Sequence, residues 1–509
     1  MKRKSFTYNT IIMTLANTIT RILGFAYRIF LSRFIGAEGL GLYGLIMPVY
    51  SVCSTIIASG LPVASMKLTS ERLALGDKQG ARSVISCTLK AVAIISFILF
   101  SIVILFSSTI SSILGDERLR IPLVCLSFAI LITGFENIYK SYFYAAQNVK
   151  TPSFAEIVEQ ILRICFVVTL LAIFCRGNLG LSVIVMTLGI FVGEAVSSIF
   201  LSLYYIGAVR TIKKPKDCTE ISKRIYQCAT PITLARVANS IIMSLTSVLI
   251  PTLLTLYGLD RSEALSLFGI LTGMVVPILL LPCIFTNAIS VNLVPFVSSN
   301  LAKNNYAAIN RKLTKSLMIV SLVSYPAAAA MSALAEPLGI VLYSESRVGT
   351  MLPFMAIGSL ICTFQHIFGS VLNASGGEKK SAVYSFSGNI ISLLTSALLI
   401  PLFGIKGYIV AYTISSLAVL IPEINLTFKL IKCNIDIFSK PLFLMLPSIL
   451  CFLLIKLFYK ILAYNHTIYL ALILSLALGL FVYIALIWLM GSFKKIIIFN
   501  KNNLTNLKI

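Results

Sequence analysis

Acidic residues are scarce in this sequence: 18 Asp and Glu stand against 42 Lys and Arg in 509 residues. Charge of either sign is thin, at 12% of the chain, while 58% is hydrophobic and the mean hydropathy is +0.95. A soluble protein of this length has no interior large enough to hide that much apolar surface, which makes the chain an integral membrane protein. There are only 2 histidines, no C-x-x-C pair and no Cys/His cluster. The 11 cysteines therefore indicate neither a metal site nor a disulfide framework, and read as small apolar filler. There is no P-loop, no H-E-x-x-H and no Ser-His-Asp order. No soluble stretch is long enough for a catalytic domain. An enzyme, an ATP-driven pump and a bound cofactor all lose their footing.

The net charge of +24 would suggest nucleic acid in a soluble chain. Here the basic residues fall in loops between apolar runs, so nucleic acid is not expected as a partner. Runs long enough to cross a bilayer lie at 11–35, 44–65, 85–114, 121–146, 155–175, 179–206, 228–257, 266–296, 312–335, 350–373, 381–402, 405–430, 442–463 and 467–490. That is an all-α membrane protein of fourteen spans, with both termini on one side. Lys2-Arg3-Lys4 before the first run resembles a signal peptide, but the run is long and holds two arginines, and reads as an uncleaved first span. With the N-terminus in the cytoplasm, 27 basic residues fall in cytoplasmic segments and 9 in outer ones. The positive-inside rule then gives a multi-pass protein of the cytoplasmic membrane with both termini cytoplasmic.

An internal repeat shapes the middle of the chain. Leu73-Ala74 and Leu301-Ala302 stand 228 residues apart, as do Ala146 and Ala374; Glu194 and Glu423 stand 229 apart. Six spans per half keep the halves in the same orientation, a parallel repeat with substrate expected between the lobes. The expected division is an N-lobe over 1–206, a connection over 207–227, a C-lobe over 228–430, and a C-terminal helix pair with a basic tail over 431–509.

Thr14, Asn17, Arg21, Gly24 and Arg28 recur at three- and four-residue steps, on one face of the first span. A charge at the bilayer centre costs at least about 2.5–3.5 kcal/mol, so such residues face a watery cavity or a partner. Guanidinium stays charged and grips planar anions such as phosphate with two hydrogen bonds. The stripe therefore points to an anionic substrate. Arg236 in span seven, with Thr233, Ser240, Ser244 and Ser247, is the next candidate for the same cavity. Span five carries Glu156, Glu159 and Arg163 on one face; Glu159 and Arg163 have the spacing of an ion pair. Either they neutralise each other, or Glu156 and Glu159 balance the span-one arginines. Glu194 and Glu423 hold matching places in apolar surroundings and are candidates for coupling transport to a cation. Glu136 and Lys140 read as a local pair, and His366 as a packing residue.

The stretch TRILGFAYRIFLSRFIGAEGLGLYG (Thr20–Gly44) and the stretch ASGLPVASMKLTSE (Ala58–Glu71) closely resemble the opening of the stage V sporulation protein B family. That family belongs to the multidrug, oligosaccharidyl-lipid and polysaccharide exporters, and is similar to MurJ-type lipid II flippases. The resemblance runs through essentially the whole chain. It implies two six-helix lobes plus a C-terminal pair, and a flippase for a polyprenyl-diphosphate-linked saccharide. The implied substrate is the peptidoglycan precursor of the spore cortex, handed on to peptidoglycan synthases, with membrane lipids around the protein. Arg21 matches the Arg of the family's R-x-L-G-F element. The second span-one Arg of the MurJ-type proteins aligns with Tyr27, one residue before Arg28. Two alternatives stay open: export of another lipid-linked polysaccharide unit, and cation-coupled multidrug export.

Overall fold

The structure is a computed structural model that describes residues 6–175, 177–212, 219–432 and 439–489. The basic N-terminus, part of the 207–227 connection and the basic tail lie outside the described residues. No strand occurs among the described residues, as the apolar runs require. The first half comprises α1 (Phe6–Ala58), α2 (Gly60–Ala74), α3 (Lys78–Leu105), α4 (Ser107–Leu114), α5 (Arg120–Ala145), α6 (Lys150–Phe174) and α7 (Leu179–Val209). Then come α8 (Thr219–Leu256), α9 (Arg261–Gly269), a π-helical turn Ile270–Val275, α10 (Val276–Leu279) and α11 (Leu281–Leu301). The chain ends with α12 (Tyr306–Ala333), α13 (Ala335–Tyr343), α14 (Val348–Ala374), α15 (Glu378–Phe403), α16 (Ile405–Ile431), α17 (Ser439–Phe443), α18 (Met445–Asn465) and α19 (Ile468–Leu489).

Fourteen helical segments among the described residues are long and apolar enough to cross a membrane, the number expected from the sequence. Two divisions between spans differ from the expectation, and they offset each other. Spans one and two form one helical stretch, Ile11–Ala74, while the expected span 266–296 divides into Arg261–Leu279 and Leu281–Leu301. The first difference has a backbone cause. α1 runs 53 residues, about 80 Å at 1.5 Å per residue, against a hydrocarbon core of about 30 Å. It turns on a single residue, Gly36, with φ 70 and ψ −174. Side-chain-bearing residues avoid that region, so a glycine here can turn the chain where a loop was expected.

The repeat is written in the helix ends. α3 and α12 each have 28 residues, and their first residues, Lys78 and Tyr306, stand 228 apart. Asp77 caps α3 by accepting from Gly80 N, and Asn305 caps α12 by accepting from Ala308 N. Gly76 and Asn304, immediately before those caps, both have positive φ. The short α4 and α13 each close on a left-handed residue, Gly115 and Ser344. α6 and α15 start 228 residues apart, at Lys150 and Glu378. The fold is thus all-α, with two six-span lobes in parallel repeat and an appended helix pair.

By compactness the chain forms two units, Met1–Gly273 and Met274–Ile509. The first unit includes α8 and α9, which pack against α1 and α2, so its edge lies beyond the 207–227 connection. Its core holds Ile57, Leu61, Ala64, Val84, Ile85, Ile130 and Leu201. In the second unit α18 and α19 pack together and against α12, around Tyr325, Leu334, Cys451, Ile455 and Tyr483. Among the described residues eight cysteines are free thiols.

Candidate functional site

The sequence-derived candidates separate into two groups in the first unit: open cations and enclosed ion pairs. Asn17, Arg21 and Arg28 are exposed on α1. Arg21 and Arg28 are two turns apart, about 10 Å along the axis, so their long side chains can converge on one anion. Arg21 makes no hydrogen bond or ion pair with the described residues. Arg28 Nη1 donates to the backbone carbonyl of Thr272 at 3.0 Å. Between them, Gln160 of α6 lies beside Gly24, its Nε2 3.6 Å from where a Cβ would sit. Arg236 on α8 is exposed and likewise has no partner among the described residues.

The polar stripe expected around Arg236 has a different job. Ser240 is buried, 3.3 Å from Ser51 Oγ, and Ser244 donates to the Pro48 carbonyl at 3.2 Å. The Thr233 hydroxyl crowds Gly60, where any Cβ would also strike the Ala229 carbonyl. These hydroxyls fasten α8 to α1 and α2, while Arg236 stays open.

The acidic residues of α6 do not pair with the span-one arginines. Glu156 accepts from Lys140 at 3.2 Å, and Lys140 also meets Glu136 at 2.8 Å. Glu159 pairs with Arg163 on its own helix. Of the two alternatives, mutual neutralisation is the one seen for Glu159 and Arg163; i, i+4 spacing and the adjacent α5 offer nearer cations than α1 does. Glu136 also accepts from Ser197 at 2.7 Å. Gly193 of α7 makes room for the α6 pair: its Cβ would lie 3.0 Å from Arg163 Nε and 3.3 Å from Glu159 Cγ. Arg163 Nε is buried and has no partner among the described residues.

Glu194 is buried and accepts from both Tyr50 and Thr133, joining α1, α5 and α7. Glu423, its counterpart in the second unit, is also buried. One oxygen accepts from Ser381 at 2.7 Å; the other, Oε2, has no partner among the described residues. Sequence reasoning missed Tyr50, Thr133 and Ser381 because hydroxyls in apolar helices carry no spacing signal. It missed the Thr272 carbonyl because backbone groups are invisible in a sequence.

This arrangement is that of a multi-pass membrane transporter of the exporter and flippase type. The comparisons agree on the fold. A solved structure described as the lipid II flippase MurJ in an inward closed conformation matches with a TM-score of 0.75 at 16% identity, over 96% of this chain and 100% of that one. An inward-facing multidrug resistance MATE family transporter matches with a TM-score of 0.65 at 17% identity, over 83% of this chain and 98% of that one. The chain belongs to the polysaccharide biosynthesis protein family, which it matches over residues 6–300; residues 271–398 also match the MatE family. Among curated relatives, the stage V sporulation protein B of Bacillus subtilis (strain 168) is 25% identical over 447 residues, 86% of each chain. The lipid II flippase MurJ of the same organism is 21% identical over 440 residues, 81% of this chain and 80% of that one. The resemblance carried by Thr20–Gly44 and Ala58–Glu71 is thereby borne out.

Proposed function

We propose that this protein is a flippase for a polyprenyl-diphosphate-linked saccharide, of the kind that supplies peptidoglycan synthesis in the spore cortex. The observation that carries the reading is the division of charge in the first unit. Lys140 and Arg163 are paired with carboxylates. Arg21 and Arg236 are open and unpaired among the described residues. Unpaired guanidiniums in a membrane-spanning segment require an anion or water, and a diphosphate is the anion they fit best. Asn17, Arg21, Arg28 and Arg236 would hold the diphosphate, while the prenyl chain stays in lipid. Glu194 and Glu423 would serve as the coupling carboxylates. The 1–206 and 228–430 lobes would alternate access around the substrate, with both termini cytoplasmic and the protein in the cytoplasmic membrane. The inside-negative potential would then favour outward movement of the anion by about 2.3 kcal/mol per charge per 100 mV. The likeness to the lipid II flippase MurJ supports this substrate class, and the likeness to the stage V sporulation protein B supports the sporulation setting.

The test is a spore-former deleted for this protein. Lipid-linked precursor and cortex peptidoglycan are quantified during sporulation, with vegetative growth as control. Precursor accumulation with cortex loss is expected. Complementation by Arg21→Ala should fail although the variant reaches the membrane; full complementation by it would remove Arg21 from the site. A normal precursor pool with normal cortex would turn attention to other lipid-linked polysaccharides. The MatE match over 271–398 keeps a second reading, cation-coupled drug export, in view. The open arginines speak against cationic drugs.

A further inference from the structure

The hydrogen bond from Arg28 to the Thr272 carbonyl joins an exposed cation on α1 to an irregular turn of the chain after α9. Its origin lies in the backbone. Residues Ile270–Val275 are π-helical, and in a π register each carbonyl takes its hydrogen from the residue five positions on. Five on from Thr272 is Pro277, which has no N–H. The Thr272 carbonyl therefore has no π-register donor, and a guanidinium reaching across from α1 supplies one. No carboxylate among the described residues bonds to Arg28 or competes for it. Eight residues along α1 from Arg28 is the non-helical Gly36, the one break in that helix. Just past the break, α1 and α9 cross so closely at Gly41 and Gly269 that a Cβ on either would strike the partner's backbone.

We propose that Arg28 and the Thr272 carbonyl form a tie that an incoming anion displaces. The inference rests on the reading of this protein as a diphosphate-binding flippase. An oxyanion is a far stronger acceptor for guanidinium than a peptide carbonyl. When a diphosphate meets Arg28, the side chain leaves Thr272 and the segment before Gly36 is released from the π turn. Arrival of the substrate is thereby converted into freedom of α1 to swing at Gly36, while the glycine crossing holds the part after the hinge in place. Arg28 then has two roles: it holds the anion, and it positions α1 until the anion comes. Pro277 is the residue that keeps the carbonyl waiting for Arg28.

The full-length protein in phosphatidylcholine nanodiscs is the material for the test, with farnesyl diphosphate as probe and farnesol as neutral control. Hydrogen exchange is followed by mass spectrometry over residues 29–42, and binding by calorimetry. Farnesyl diphosphate should speed exchange around Gly36 by about threefold or more, as expected for a local opening, and farnesol should not. Arg28→Ala should show the fast hinge without ligand and bind the diphosphate weakly. Pro277→Ala restores an N–H for the carbonyl. It should also show the fast hinge without ligand, yet bind the diphosphate up to about tenfold more tightly, since Arg28 is no longer engaged. The opposite signs in binding separate release of the tie from general loosening. Diphosphate binding with the same hinge exchange in wild type, Arg28→Ala and Pro277→Ala would overturn the tie and leave the flippase reading standing. Failure of the wild type to prefer farnesyl diphosphate over farnesol would overturn both.

Discussion

Lys140 is the cation on which the charge network of the first unit depends. Its ammonium lies 2.8 Å from Glu136 and 3.2 Å from Glu156, and only 16% of its side chain is accessible. At an effective dielectric of about 20, each contact represents about 5–6 kcal/mol of gross attraction. Much of this offsets the desolvation of all three groups. Removal of the cation leaves that desolvation in place. Lys140→Met fills similar volume but strands two carboxylates near Glu159 and Glu194, with Arg163 as the remaining cation of the cluster. Breaking an enclosed pair in this way costs about 3–5 kcal/mol. The comparison is Arg224→Gln, which loses a 3.2 Å pair to Glu71 between side chains 53% and 42% accessible; such a pair is worth under about 1 kcal/mol. Both variants are unfolded by heat and by detergent titration in the same nanodiscs. Lys140→Met should be the less stable by several kcal/mol, and adding Glu136→Gln should recover part of the loss. If Lys140→Met and Arg224→Gln unfold within about 1 kcal/mol of each other, the network does not carry the load assigned to it.

Three further outcomes follow from the same geometry. Gly41→Ala places a methyl against the Leu265 carbonyl, so α1 and α9 must separate; a loss of about 1–3 kcal/mol in unfolding free energy is expected. Gly207→Ala, where a Cβ meets open space, is the control and should stay within about 0.5 kcal/mol. Acid should loosen the turn that carries Asp116 and the turn that carries Glu345. Burial pushes Asp116 up, but hydrogen bonds from Arg118 outweigh it and hold the carboxyl below its ordinary value. The Arg347 side chain does the same for Glu345. A carboxylate with a lowered folded pKa contributes stability above its unfolded value, near 4, and loses it as pH falls through the folded value. The melting temperature should therefore fall below about pH 4, and less so in Asp116→Asn, which has already lost that contribution.

Hydropathy made the membrane class, the span number and the paired lobes legible, because twenty-residue apolar windows and loop charge are local properties. The open face of α1 was legible for the same reason: Asn17, Arg21 and Arg28 share it by helical spacing alone. The partners of Glu156 were not, since nothing in α6 says that Lys140 of α5 lies nearer than Arg21. Nor was the run of α1 through Gly36. A hydropathy window registers a drop in apolar content around Gly36–Gly44 and reads a loop, whereas one glycine at positive φ turns the helix without ending it. The π turn escaped because it depends on which carbonyls find donors.

The matched helix ends have one more consequence. At the 228-residue offset, Glu136 and Lys140 fall opposite Phe364 and Phe368, while Glu156, Glu159 and Arg163 fall opposite Tyr384, Ser387 and Ile391. The Glu194 position keeps its acid as Glu423, and Asp116, just after Gly115, keeps it as Glu345, just after Ser344. The two copies agree in where helices begin, cap and turn, and in the acid–arginine pair of one turn, Asp116–Arg118 and Glu345–Arg347; they disagree in the charges carried inside α5 and α6. Superposing one copy on the other would transfer a backbone with fair accuracy, and the Lys140 and Arg163 ion pairs wrongly. Shape in this chain is the duplicated inheritance; the ion pairs of α5 and α6 are private to one heir.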